Sequence, residues 1–127
     1  MADVIGYKGE QLDLLIRQGA TFGPVKLIFT NPNGTRVNLT ETTFRAQVRK
    51  LPSSEDIGAE FVCLVTDSSQ GELSIEIPAI ETEKLSAGIT ETEIESLYFW
   101  DLEGVESGGR VVPYLYGDVK VFREITK

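Results

Sequence analysis

Ser96 to Thr126, SLYFWDLEGVESGGRVVPYLYGDVKVFREIT, decides the fold of this chain, because it reads as two long strands joined by a glycine-rich turn. On the first strand Tyr98, Trp100 and Leu102 fall on one face and Asp101 and Glu103 on the other, the period-two alternation of a half-buried strand. On the second, Leu115, Val119 and Val121 face one way with Gly117 among them, and Tyr114, Tyr116, Asp118 and Lys120 face the other. Glu106-Ser107-Gly108-Gly109 supplies the reversal, since paired glycines reach positive φ without a Cβ penalty. The stretch predicts the closing hairpin of a sandwich.

Upstream, the same two signals recur. Leu12, Leu14 and Ile16 share a face, and Gly19 marks a bulge or bend where the first strand passes from one sheet edge to the next. Gly23-Pro24 precedes Val25, Leu27 and Phe29; Pro24 has no amide hydrogen, so that point suits an edge or a strand start. Asn31-Pro32-Asn33-Gly34 is the strongest local turn signal and predicts a reversal between Leu27 and Val37. Phe44, Ala46 and Val48 then point inward and Arg45, Gln47 and Arg49 outward, before an exposed loop over Leu51 to Asp56. Phe61 to Thr66 reads as a short apolar strand. Leu73, Ile75 and Ile77 alternate with Glu72, Ser74 and Glu76 until Pro78 ends the strand. Ile80 to Leu85 is rich in helix formers with Gly88 placed as a C-terminal cap, which predicts one or two helical turns. Thr90 and Glu93 have the spacing of a capping box.

Together these elements predict an all-β protein: an immunoglobulin-like antiparallel β-sandwich of about seven strands with one short helical turn. Residues 11–127 form a single domain behind an extended lead, residues 1–10. Its core is expected to include Leu14, Phe44, Val48, Leu73, Ile75, Trp100, Leu115 and Val119.

Composition narrows the function. A chain of 127 residues fits one domain and can bury a core without disulfides or metal. Its net charge of −8, from 12 Lys+Arg against 20 Asp+Glu, argues against binding a nucleic-acid backbone. No apolar run approaches the length of a membrane span, and MADVIGYKGE has neither a basic n-region nor an apolar h-region, so no membrane partner is expected. The absence of histidine removes Ser-His and Cys-His dyads and the usual zinc ligand sets. Cys63, flanked by Val62 and Leu64, reads as a small buried apolar residue. Glu55 and Asp56 match no calcium-loop spacing, so neither metal nor cofactor is expected. Asp101 and Glu103 stand roughly 6.6 to 7 Å apart at the strand rise, a separation that some acid–base pairs use. Alternating acids on an exposed strand are also common solubilising features. The reading is a protein that is not an enzyme.

The order of motifs DLLIRQGATF, NPNGTRVNLTETTFRAQVRK, GELSIEIPAIETEKLSAG, YFWDLEG and VPYLYGDVKVFREITK resembles small immunoglobulin-like β-sandwich structural proteins of tailed bacteriophages, encoded among tail, baseplate and fibre genes. The resemblance covers nearly the whole chain, apart from an extra segment at Ile89 to Ser96 and weak apolar character around Asn31. It implies a non-enzymatic virion structural protein, made in the host cytoplasm and present in multiple copies. Such a protein docks on and links larger tail or baseplate components, its partners being other virion structural proteins. Two alternatives stand beside it: a head decoration protein of the same fold, and a carbohydrate-binding module that presents exposed tyrosine rings.

The partner surface is expected on the final hairpin's outward face and the N-terminal lead. Tyr114, Tyr116 and Phe122 share one side of the last strand, and large aromatics on a face the core does not need are enriched at interface centres. Val4, Ile5 and Tyr7 lie in a lead without regular period, as in a segment that orders only when a neighbour covers it. The competing reading is that the tyrosines pair across the sheet and the lead is loose.

Overall fold

A computed structural model describes residues 4–50, 57–85 and 95–124. Within them the chain forms, in order, β1 (Val4–Gly6), β2 (Glu10–Gln11), β3 (Leu14–Arg17), β4 (Phe22–Phe29), β5 (Thr43–Arg49), β6 (Ala59–Glu60), β7 (Val62–Asp67), β8 (Glu72–Ile77), one helical turn α1 (Ala79–Thr82), β9 (Glu95–Val105) and β10 (Val111–Phe122). They stack as two sheets. One has the order β1-β4-β8-β7; the other runs β2-β10-β9-β5-β6, with β3 following β2 along the same edge of β10. This is the strand order of an immunoglobulin-type sandwich, with β6 added beyond β5 and β2 and β3 added along the free edge of β10.

The core lies between the sheets and follows the alternation of the sequence. Leu27, Phe29, Leu73, Ile75 and Ile77 come from the first sheet, and Val48, Trp100, Leu102, Leu115, Val119 and Val121 from the second. Of the expected core residues, Leu14 and Phe44 pack at its margin and the other six are buried. Trp100 keeps its polar handle satisfied inside the core: its Nε1–H donates to the Leu12 carbonyl at 2.7 Å. The β9–β10 turn closes as the glycines predict, with Gly108 and Gly109 at φ 89° and 88° and the Glu106 amide donating to the Arg110 carbonyl. The crossing expected near Gly19 is also present, since β3 belongs to one sheet and β4 to the other.

Several expectations change. The chain has ten strands among the described residues, because short pieces at three edges (β1, β2 and β6) escape a count based on long alternating runs. The sheets are mixed rather than antiparallel: β1 runs parallel to β4, and β2 and β3 run parallel to β10. Residues 4–11 are therefore part of the sandwich, held by pairings more than 20 residues away in sequence. Pro24 sits inside β4 rather than at its start, at an irregularity between Phe22 and Val25 where a missing amide hydrogen costs no ladder bond. Phe61 precedes the strand it was expected to open, and marks where the chain leaves β6 in one sheet for β7 in the other. The helical turn is shorter than expected, with Glu83 at its C-cap. Gly88, Thr90, Glu93 and the loop with Glu55 and Asp56 lie outside the described residues.

Candidate functional site

The outer face of the six-stranded sheet is built by the residues that interleave with the core. On β9 these are Leu97, Phe99, Asp101 and Glu103; on β10, Tyr116, Asp118, Lys120 and Phe122; on β5, Arg45, Gln47 and Arg49. Register sets their neighbours. Tyr116 lies beside Asp101 and then Gln47, Asp118 beside Phe99 and then Arg49, and Lys120 between Leu15 and Leu97. Leu15, Leu97 and Tyr116 are each about half exposed.

The six residues expected to meet a partner do not share this face. Tyr116 and Phe122 do: Tyr116 is 53% exposed, and the Phe122 ring is partly covered by the Arg17 guanidinium at 5.9 Å. Tyr114 does not. It is 1% exposed, its ring packed edge-on between Phe29 at 5.0 Å and Phe44 at 4.9 Å. The reason is a bulge. Pro113 pairs with Glu103 and Leu115 with Leu102, so Tyr114 is the extra residue, and it turns inward together with Leu115. The space it fills is left open by Gly104, where a Cβ would stand 2.5 Å from the Tyr114 ring. Burial raises the Tyr114 pKa, and the Glu106 charge adds to that.

The lead is likewise redistributed. Val4 pairs with Leu27 and packs on the margin of the core, Ile5 pairs with Ile28 and is exposed on the other sheet, and Tyr7 is exposed in the β1–β2 connection. Val4 and Ile5 thus belong to the β1 edge of the four-stranded sheet, with Tyr7 just beyond it, and not to the sheet that carries Tyr116. Leu15, Leu97 and Phe99 are the members of that face not singled out from sequence. Their signal was available: each is apolar at a position where the alternation calls for a polar residue.

The charged half of the face is organised around Arg45, whose Nε and Nη2 both donate to Glu103 Oε2 at 3.0 and 2.8 Å. Asp101 lacks such a bond in its own register, and desolvation raises its pKa, reinforced by Glu103 and opposed by Arg49 and Arg45. Between these groups and Tyr116 lies an open hollow of about 300 Å³ lined by Gln11, Gln47, Phe99, Asp101, Tyr116 and Asp118. The carboxylates Asp101 and Glu103 are thus on one face as expected, but Glu103 is committed to Arg45. Among the described residues no group of three or more His, Cys, Asp or Glu is placed to hold a metal ion. No helix among them is long and apolar enough to cross a membrane. Cys63, expected to be buried, is partly so; it faces the core opposite Ile75, and burial pushes its thiol pKa up to about 11.

No protein-family model matches this chain, and no curated protein matches it.

Proposed function

We propose that this chain is a non-catalytic structural protein of a tailed-bacteriophage virion, which docks on larger tail or baseplate components through the outer face of its six-stranded sheet. The docking role is carried by one observation: Leu15, Leu97 and Tyr116 stand half exposed on the flat of a sheet, flanked by Phe99 and Phe122, where a monomer would place polar side chains. Charge supports it. Among the described side chains of the three central strands, Arg45, Arg49 and Lys120 stand against Asp101, Glu103 and Asp118, while the whole chain carries −8. A partner can approach this face without meeting the net repulsion of the rest of the surface. The virion setting rests on the order of sequence motifs.

The pair Leu97→Lys with Tyr116→Lys tests the reading. The variant is expected to fold and melt like the parent but to be lost from assembled particles, as quantified by mass spectrometry of purified heads and tails. Normal incorporation of the variant would remove this face from the proposal, and recovery with heads alone would favour the head decoration role. A second reading, glycan binding, is favoured by the hollow beside the Tyr116 ring with its amide and carboxylate lining. Sugar titration followed by Trp and Tyr fluorescence separates it from protein docking.

A further inference from the structure

The four edges of the two sheets are finished differently. β1 offers three residues, β6 two, and the edge made by β2 and β3 is interrupted at Leu12–Asp13 and carries Glu10, Asp13 and Arg17. These are the short or charged edges with which soluble proteins prevent strand addition. β7 is different: six residues, Val62-Cys63-Leu64-Val65-Thr66-Asp67, with no proline and a single charge at the far end. It ends the four-stranded sheet, and among the described residues none of its backbone groups bonds outside that sheet. Its outward side chains Val62 and Leu64 are 56% and 62% exposed.

We infer that β7 is a pairing edge for β7 of a second copy of this chain, joining two four-stranded sheets into one. The strand is complementary to itself. In an antiparallel pair, outward residues oppose outward residues only when their numbers sum to an even value. A two-fold axis through Leu64 places Leu64 opposite Leu64 of the second copy and Cys63 opposite its Val65. This register leaves both Asp67 and Glu60 outside the apolar centre, and no like charges face each other. The acidic rows of the two copies stay apart: Glu72 and Glu76 lie on β8, one strand back. Three strand spacings separate the two β8 strands, roughly 14 Å, which exceeds the screening length of about 8 Å at physiological ionic strength. The inference is independent of the Tyr116 face.

The test is sedimentation of the full chain from about 10 µM to about 1 mM, because an edge contact is much smaller than the ~1,600 Å² of a stable interface. A monomer–dimer equilibrium is expected, tightening severalfold between about 50 and about 500 mM salt as the repulsion of two −8 chains is screened. Leu64→Lys should weaken the dimer at least tenfold, whereas Tyr116→Ser should leave it unchanged. A cross-link reads the register directly. Directly opposed residues of an antiparallel pair have Cα atoms about 4.5 or 5.5 Å apart, within disulfide reach. Cys63→Ser with Leu64→Cys should therefore oxidise to a covalent dimer. Cys63→Ser with Ile80→Cys, a site equally exposed but off the edge, should not. A monomer throughout the range, a dimer unaffected by Leu64→Lys, or equal cross-linking at both cysteines would overturn the inference.

Discussion

The two ends of β10 obey different rules. From Leu115 to Phe122 the strand alternates as its sequence says, with Leu115, Val119 and Val121 buried, Tyr116, Asp118 and Lys120 exposed, and an unbroken register with β9. Before Leu115 the phase is shifted, so Tyr114 is in the core although it stands two residues from Tyr116. Period-two alternation assigns faces only between irregularities; one extra residue reverses every assignment on its far side.

The contrast between the two tyrosines should appear first in stability. Tyr114→Ala removes the ring between Phe29 and Phe44 and is expected to cost ~3 to 5 kcal/mol, as for other large buried aromatics. Tyr116→Ala should change stability by about 0.5 kcal/mol or less, as exposed positions do. Equal losses in urea denaturation of the two variants would break the comparison.

Gly117 sharpens it from the regular end of the strand. A Cβ there would run into the Leu12 carbonyl, the same oxygen that accepts from Trp100 Nε1. Gly117→Ala should cost ~1 to 3 kcal/mol, the range for forcing extra atoms into a packed site. It should also release the β2–β3 edge, read as faster amide exchange at Gly9 and Leu12, whose N–H groups donate to the Tyr114 and Tyr116 carbonyls. Unchanged exchange would show that the close approach at Gly117 does not hold this edge.

The smallest effect tests the same phase logic in β7. Burial raises the Cys63 pKa from 9.0 to about 11, so the folded state retains the thiol proton through a range in which the unfolded chain loses it. The linkage slope is negative there: stability contributed by the neutral thiol is intact below pH 9 and declines as pH rises toward 11. Denaturation midpoints of the parent should fall more steeply across that window than those of Cys63→Ala, and native Cys63 should react slowly with thiol reagents at neutral pH. Identical slopes would place the thiol in solvent.

Much of this was legible in the chain. Leu73, Ile75 and Ile77, and Tyr98, Trp100 and Leu102, sit in uninterrupted alternation, and local pattern was enough to assign them to the core. The Gly108-Gly109 and Asn33-Gly34 turns carry their backbone requirement in their own residues. Tyr114 failed for a reason also present in the sequence: Pro113 cannot donate to a ladder, and proline within a strand marks a bulge or an edge. Val4 and Ile5 read as part of a loose lead, and not as a strand, because nothing local specifies their partners. Their strand pairs with Leu27 to Phe29 through backbone ladder bonds, which leave no signature in side-chain periodicity. Half of the Tyr116 face is legible: Tyr116 and Phe122 stand out as aromatics on the outward phase of β10, whereas Leu15 and Leu97 read locally as ordinary strand residues.

The parallel pairing of β3 with β10 has a mechanical consequence. Tension applied through the residues before Val4 and those after Phe122 reaches β3 from its N-terminal end and β10 from its C-terminal end, so the two strands are drawn past each other along their length. Leu14 to Arg17 are bonded in register to Val119 to Phe122, and Glu10 and Gln11 to Leu115 and Tyr116. Sliding loads all of these bonds at once, whereas pulling a hairpin from its open end breaks them one after another. Along the strand axis the β3–β10 edge therefore shares a load among its bonds rather than passing it from one to the next.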